Sequence, residues 1–71
     1  MKIKRIANEI KKMTGFENVF GEYDSIFTGR HNVYDVHFSM INDIFAKYKV
    51  RISAVRNDFI NNIVFDLIEV S

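Results

Sequence analysis

Apolar residues near the start of the chain recur at the spacing of an amphipathic helix. The apolar positions are Ile3, Ile6, Ala7, Ile10 and Met13. The polar positions on the opposite face are Lys4, Arg5, Asn8, Lys11 and Lys12. Gly15 follows at the place where a left-handed residue commonly ends a helix. This pattern predicts a helix over residues 2–14, anchored by its isoleucines.

The next segment, residues 18–29, reads NVFGEYDSIFTG and ends at a glycine. It is rich in β-branched and aromatic residues, which favour pleated structure. The sequence predicts a strand over residues 19–28.

Residues 32–48 fit two patterns. As a strand, residues 33–40 alternate apolar and polar positions, and a short helix over 40–48 follows with Ser39 as its cap. As one helix, the segment begins at Asn32 with Asp35 in its first turn, and only Val36 disturbs the apolar stripe. The β-branched and aromatic content of residues 33–38 favours the strand. Both interpretations make residues 41–48 helical.

The C-terminal segment predicts a hairpin. A turn at Asn57-Asp58 gives the cross-strand pairs Val50–Phe65, Ile52–Ile63 and Lys49–Asp66. A longer loop over residues 57–62 is the alternative, because Asn61-Asn62 is also typical of turns. The last strand, IVFDLIEV, is apolar on both faces except at two acids, which predicts a central strand. The alternative is that its second apolar face binds a partner or a second copy.

These elements predict an α+β fold in a single domain over residues 1–71. An N-terminal helix and a second helix cover a sheet of three or four mainly antiparallel strands. The expected order is α-β-β-α-β-β, and the alternative is α-β-α-β-β.

Composition narrows the class of protein. The chain has 71 residues and no cysteine, which excludes disulfides and thiolate metal sites. No segment resembles a signal peptide or a membrane span, so we expect a cytoplasmic protein. The abundance of Ile, Asn, Lys and Phe is typical of an AT-rich genome, and a short chain from such a genome suggests a phage or mobile element.

Catalytic and metal-binding patterns are absent from the sequence. Two histidines, His31 and His37, lie near Asp35, but their spacing matches no known metal motif, and surface roles are the simpler interpretation. No serine lies in a nucleophile-elbow context, and no glycine-rich loop is suited to phosphate. We therefore expect no catalytic residue, no metal, no cofactor and no enzymatic activity.

Charge is unevenly distributed. Residues 2–13 carry five basic side chains and one acidic one, whereas the remainder carries five basic and eight acidic. Candidate contacts to nucleic acid or to an acidic protein are Lys4, Arg5, Lys11 and Lys12. The alternative is that these side chains only keep a surface helix solvated. The near balance of charge excludes a mimic of DNA, which needs a densely acidic surface.

The aromatic residues are expected to fill the core with three exceptions. Tyr23, Tyr34 and Phe59 are the candidates for exposure. Phe59 beside Arg56 has the composition of a hot spot in a protein interface. The alternative is that Phe59 folds over the edge of the sheet.

The function expected from these features is stoichiometric binding to a macromolecule, most simply a larger protein. A phage-encoded or mobile-element-encoded inhibitor of a host defence system, of the anti-CRISPR type, is a concrete example. One alternative is a nucleic-acid-binding protein that uses the basic helix. Another is a homodimeric accessory protein paired through a strand.

Overall fold

The fold is a four-stranded antiparallel sheet with two helices. The computed structural model describes residues 1–29 and 33–70. Its elements are α1 (Ile3–Thr14), β1 (Phe20–Glu22), β2 (Ser25–Phe27), α2 (Asp35–Lys47), β3 (Val50–Asn57) and β4 (Ile63–Glu69). The strands lie in the spatial order β1-β2-β4-β3. The predicted α+β class and the order α-β-β-α-β-β are confirmed.

Helix α1 forms where the apolar stripe predicts it. Ile6, Ala7 and Ile10 are buried against the sheet and α2. Gly15 ends the helix with a φ of 76°, and its N–H donates to the carbonyl of Lys11 at 2.9 Å. A left-handed φ at this position favours glycine, which has no Cβ to clash. In the described part of the chain, no helix is long and apolar enough to cross a membrane.

The single strand predicted over residues 19–28 is wrong. The segment folds back on itself as β1 and β2, joined by a tight turn at Tyr23 and Asp24. Tyr23 adopts a φ of 54°, a conformation that gives no signal in the sequence because tyrosine rarely takes it. The amide of Leu67 donates to the carbonyl of Asp24 at 2.8 Å, which ties the turn to β4.

The favoured strand over residues 33–40 is also wrong, because residues 35–47 form α2. The amide of Tyr34 donates to Nδ1 of His37 at 3.1 Å, and the amide of His37 donates to the carbonyl of Tyr34 at 2.9 Å. This reciprocal contact closes the first turn. Val36, the residue that disturbed the helical stripe, is simply exposed to solvent at 62%. The proposed cap Asn32 lies outside the described residues.

The terminal hairpin has a loop close to the alternative over residues 57–62, and not the tight turn at Asn57-Asp58. The predicted pairs Val50–Phe65, Ile52–Ile63 and Lys49–Asp66 do not form. Val50 lies opposite Glu69 instead, because residues 58–62 separate the strands. Lys49 lies before β3 in a left-handed conformation, with a φ of 57°.

Strand β3 is the outer strand of this hairpin and is irregular near its middle. The register with β4 shifts between Ile52 and Ala54, which leaves Ser53 as the extra residue. Its hydroxyl donates to the main-chain carbonyl of Asp66 at 3.1 Å. A bulge of this kind bends an edge strand and interrupts its row of free backbone groups.

Strand β4 is central, as its two apolar faces predicted. It pairs with β2 on one side and with β3 on the other. Phe65 is fully buried beneath α2, where the rings of Phe38 and Phe45 meet it edge-on at centroid distances of 5.7 and 6.0 Å. Val64 points to the opposite face and is also fully buried. The helices therefore cover one face of the sheet, and the core lies between them and β4.

The face of the sheet away from the helices carries a row of cross-strand neighbours. Phe20, Phe27, Val64 and Arg56 are directly paired across all four strands. The rings of Phe20 and Phe27 stack in parallel, with centroids 4.6 Å apart. We call this the open face of the sheet.

Gly21 provides a test of how closely α1 approaches β1. A Cβ on Gly21 would lie 2.8 Å from the carbonyl oxygen of Ile3 and 2.9 Å from its side chain. Gly21→Ala should therefore push α1 off the sheet and lower the free energy of unfolding by about 1–3 kcal/mol, the usual cost of overpacking. Urea denaturation followed by circular dichroism measures this.

Glu22→Ala on the same strand is the matched control, because Glu22 is exposed. It should change stability by less than about 0.5 kcal/mol. Equal stability of the two variants would contradict the close approach of α1 to β1.

Candidate functional site

The loop between β3 and β4 is ordered by one carboxylate. Asp58 Oδ1 accepts hydrogen bonds from the amides of Ile60 at 3.0 Å and Asn62 at 2.8 Å. Its Oδ2 accepts a third from the side-chain amide of Asn62 at 2.8 Å. Two main-chain bonds between Asp58 and residues 61–62 close the loop further, each 3.1 Å long. The loop is therefore a compact turn that is held by its own hydrogen bonds.

The electrostatics of Asp58 agree with this role. Partial desolvation favours the protonated form, but hydrogen bonds from Asn62 and Ile60 outweigh it. The pKa of Asp58 is therefore lower than its ordinary value of 3.8. The loop keeps its charged acceptor at neutral pH.

Two apolar side chains project from this loop. Phe59 is 96% exposed, and Ile60 is 45% exposed. Ile60 lines a groove of about 680 Å³ together with the apolar residues Val19 and Phe20 and the polar residues Glu17, Asn18 and Asn62. The predicted exposure of Phe59 is confirmed, and the alternative in which it folds over the sheet edge is wrong. We call Phe59, Ile60 and Phe20 the aromatic end of the molecule.

Tyr23 and Tyr34 are exposed as predicted, at 87% and 62%. Tyr23 lies in the turn at the far end of the β1–β2 hairpin from Phe20. Tyr34 precedes α2 and lies beside His37, at a ring-centroid distance of 5.7 Å. Neither belongs to the aromatic end.

Arg56, the predicted companion of Phe59, is occupied by an ion pair. Its guanidinium donates from Nε to Oδ2 of Asp66 at 2.9 Å and from a terminal nitrogen to Oδ1 at 3.3 Å. Ser25 donates to the same carboxylate at 2.6 Å. The hydrogen bonds from Arg56 and Ser25 lower the pKa of Asp66. Arg56 therefore lies across the open face of the sheet as part of a polar cluster.

The predicted basic residues of α1 are all exposed. Lys4, Arg5, Lys11 and Lys12 point into solvent, and none forms an ion pair with residues 1–29 or 33–70. We call these four residues the cationic face of α1. Arg56 and Phe59 are not among its neighbours in any contact of the described structure, so the sequence-predicted residues form separate surfaces.

The one acid of α1 is engaged elsewhere. Glu9 Oε1 accepts hydrogen bonds from Lys47 Nζ and from the hydroxyl of Tyr48, both at 2.7 Å. These two bonds lower the pKa of Glu9, and the carboxylate in turn raises the pKa of Lys47 and of Tyr48. The contact joins α1 to the end of α2, and Glu9 retains only a weaker electrostatic interaction with Lys12 of the cationic face.

The histidine and acidic residues do not gather into a metal site in the described part of the chain, where no group of three or more potential ligands occurs. Asp35 and His37 lie in the first turn of α2, not on a strand face. His37 Nδ1 accepts the amide of Tyr34, and its ring contacts Phe16 at a centroid distance of 4.9 Å. His31 lies outside the described residues.

Two important residues were missed by sequence reasoning. The signal for Asp58 is its position two and four residues before the amides that it binds, which is typical of Asx-type turns. The predicted register places Asp66 opposite Lys49, because it assumes a shorter loop than the one that forms. Comparison of the chain with protein-family models, curated proteins and solved structures finds no match.

Removing the Asp58 carboxylate should loosen the loop. In Asp58→Ala, the amides of Ile60 and Asn62 should exchange with deuterium about tenfold faster, the effect of losing one or two ordinary hydrogen bonds. Hydrogen exchange measured by NMR tests this. Asp58→Asn keeps an acceptor oxygen and should retain most of the protection. Unchanged exchange in Asp58→Ala would show that the backbone alone orders the loop.

Acidification should remove the contribution of the Asp66 cluster. Because the pKa of Asp66 is lowered by folding, its contribution to stability is complete above the ordinary value of 3.8 and is lost as pH falls through the lower folded value. Asp66→Asn should be less stable than wild type at neutral pH and lose less stability on acidification. Urea titrations at several pH values measure this.

Asp43→Asn on α2 is the matched control, because Asp43 is exposed and forms no ion pair with any described residue. Its acid dependence should follow that of wild type. Equal curves for wild type and Asp66→Asn would contradict the assignment.

Proposed function

We propose that the chain is a small non-enzymatic protein that binds a larger protein stoichiometrically and acts by covering part of its surface. The observation that carries the proposal is Phe59, a phenylalanine ring that is 96% exposed on an ordered loop. The aromatic end is the contact surface, with Phe59 as its anchor.

An exposed phenylalanine on a rigid loop is suited to protein binding for two reasons. Burying apolar surface is worth about 25 cal/mol per Å², and an aromatic ring offers a large area with few rotatable bonds. The three hydrogen bonds to Asp58 have already ordered the loop, so binding does not bear that entropic cost. Aromatic residues with this combination of size and order dominate the energy of many protein interfaces.

The neighbours of Phe59 extend the surface. Ile60 and Phe20 are each 45% exposed, and both line the groove. A groove of about 680 Å³ accepts an apolar side chain of the partner while Phe59 enters a pocket on it. This reciprocal arrangement, a projecting ring beside a recess, favours a shaped protein surface as the partner.

The proposed mode of action is steric: the protein blocks a site on its partner or excludes a competing ligand. The exposed ring of Phe59 and the adjacent groove support this proposal. The AT-rich composition adds a biological setting to the proposal. An inhibitor of a host defence system, encoded by a phage or mobile element and acting inside the host cell, is the instance that composition and size favour.

Photo-crosslinking from position 59 tests the location of the surface. Benzoylphenylalanine replaces Phe59 in one variant and Tyr23 in the control, and both are expressed in the native host. Crosslinks to one protein from position 59 but not from position 23 are expected. The proposal is abandoned if position 59 gives no protein crosslink, or the same set as position 23.

Affinity measurements with the purified partner test how much Phe59 contributes to the free energy of binding. Phe59→Ala should weaken binding about thirtyfold or more, the range of an aromatic hot spot. Tyr23→Ala, which removes an equally exposed ring, should leave affinity within about twofold, as expected for a residue outside the contact. Thermal melting verifies that both variants remain folded. Wild-type affinity of Phe59→Ala would refute its role as anchor.

A further inference from the structure

A second surface, which meets the aromatic end only at Phe20, has a different chemistry. The cationic face of α1 consists of four exposed basic residues that form no salt bridge with residues 1–29 and 33–70. Glu9, the only acid on the helix, is held by Lys47 and Tyr48 toward α2. We propose that this face binds the phosphate backbone of double-stranded DNA.

The spacing of the four residues suits a duplex groove. Lys4 and Lys11 are seven positions apart, as are Arg5 and Lys12. At a rise of about 1.5 Å per residue, each pair spans about 10.5 Å along the helix. The major groove of B-form DNA is about 12 Å wide and admits an α-helix of about that diameter. The two pairs form two rows that lie about 100° apart around the helix, so they face opposite sides of the groove when α1 lies along it.

Asn8 lies between these rows on the helical wheel and is exposed. An amide side chain donates and accepts hydrogen bonds, and asparagine contacts both phosphates and base edges in DNA complexes. The outward face of α1 from Lys4 to Lys12 is therefore entirely of residue types that bind duplexes.

This composition favours nucleic acid over an acidic protein. The cationic face consists of basic and amide side chains, and Phe20, which lines a recess with Lys4 and Asn8, borders it at one edge. Lysine is depleted in protein interfaces, whereas lysine and arginine make most contacts to phosphate. The aromatic end shows the opposite composition, which is why the two surfaces are assigned different partners.

The uneven distribution of charge along the chain orients the protein as it approaches DNA. The net charge is only +1, but residues 2–13 carry a strong excess of base and the remainder an excess of acid. A molecule with this asymmetry approaches a polyanion with α1 in front. Four phosphate contacts give the weak affinity of non-specific binding, with a dissociation constant of about 10⁻⁴ to 10⁻⁶ M.

Fluorescence anisotropy with a labelled DNA duplex of mixed sequence tests the proposal on the full chain. Between about 50 and 200 mM salt, the logarithm of the binding constant should fall with the logarithm of salt at a slope of about −3 to −4. An RNA duplex of the same sequence should bind more weakly, because its major groove is too narrow for a helix. A slope near zero, or equal binding of the RNA duplex, would overturn the assignment.

Single substitutions locate the contact. Lys4→Gln, Lys11→Gln and Lys12→Gln should each reduce the slope by about 0.9, because each removes one phosphate contact. Glutamine has nearly the helix propensity of lysine, so α1 is preserved, and circular dichroism confirms this. Arg51→Gln is the matched control, since Arg51 is an exposed cation on β3. A loss of slope in the control equal to that of the α1 variants would overturn the proposal.

Two further measurements separate this surface from the other candidates. Polyglutamate that displaces the duplex at equal charge concentration would show that the face binds acidic polypeptide, and would overturn the choice of DNA. Phe59→Ala should leave DNA binding unchanged. The protein-binding proposal and the DNA-binding proposal therefore succeed or fail separately.

Discussion

Burial of Phe65 at the centre of the sheet is the constraint on which the fold depends. The residue is fully buried on β4, with Ile26 of β2 on one side and Val55 of β3 on the other. The rings of Phe38 and Phe45 of α2 pack edge-on against it. Both hairpins and the second helix thus meet at one side chain. In a domain with a small hydrophobic core, a side chain that contacts all of these elements makes folding cooperative.

The features predictable from the sequence are those encoded locally or by a strong pattern. Helix α1 follows from its apolar stripe, and Gly15 marks its end because few other residues take a left-handed φ. The central position of β4 follows from its two apolar faces, which need cover on both sides. Each of these depends on the identity of residues within one short segment.

The remaining fold depends on contacts that a local pattern does not contain. Residues 33–38 alternate apolar and polar positions as a strand does. In the structure, however, Phe38 packs from α2 against Phe65 of the sheet, and the contact of Tyr34 with His37 begins the helix. The turn at Tyr23 has no glycine to mark it. Tertiary burial outweighed β propensity in the first case, and an unusual conformation hid the turn in the second.

The candidate surfaces were predictable in part. The exposure of Phe59 and of the α1 cations followed from composition and the helical wheel. The role of Asp58 did not, because it requires knowing that the loop closes on its own carboxylate. The partner of Arg56 required the register of β3 and β4, which that loop determines. One short loop therefore governs both the presentation of Phe59 and the polar cluster on the open face.

The bulge at Ser53 has a consequence for the behaviour of the protein in concentrated solution. β3 is the long outer strand, and a flat strand of eight residues would offer a template for another molecule. The extra residue twists the outer edge of β3, and Arg51 adds an exposed charge to the strand. Growth of the sheet from one molecule to the next is thereby discouraged. The protein can therefore reach a high concentration without forming fibres, which the proposed one-to-one binding to a target would require.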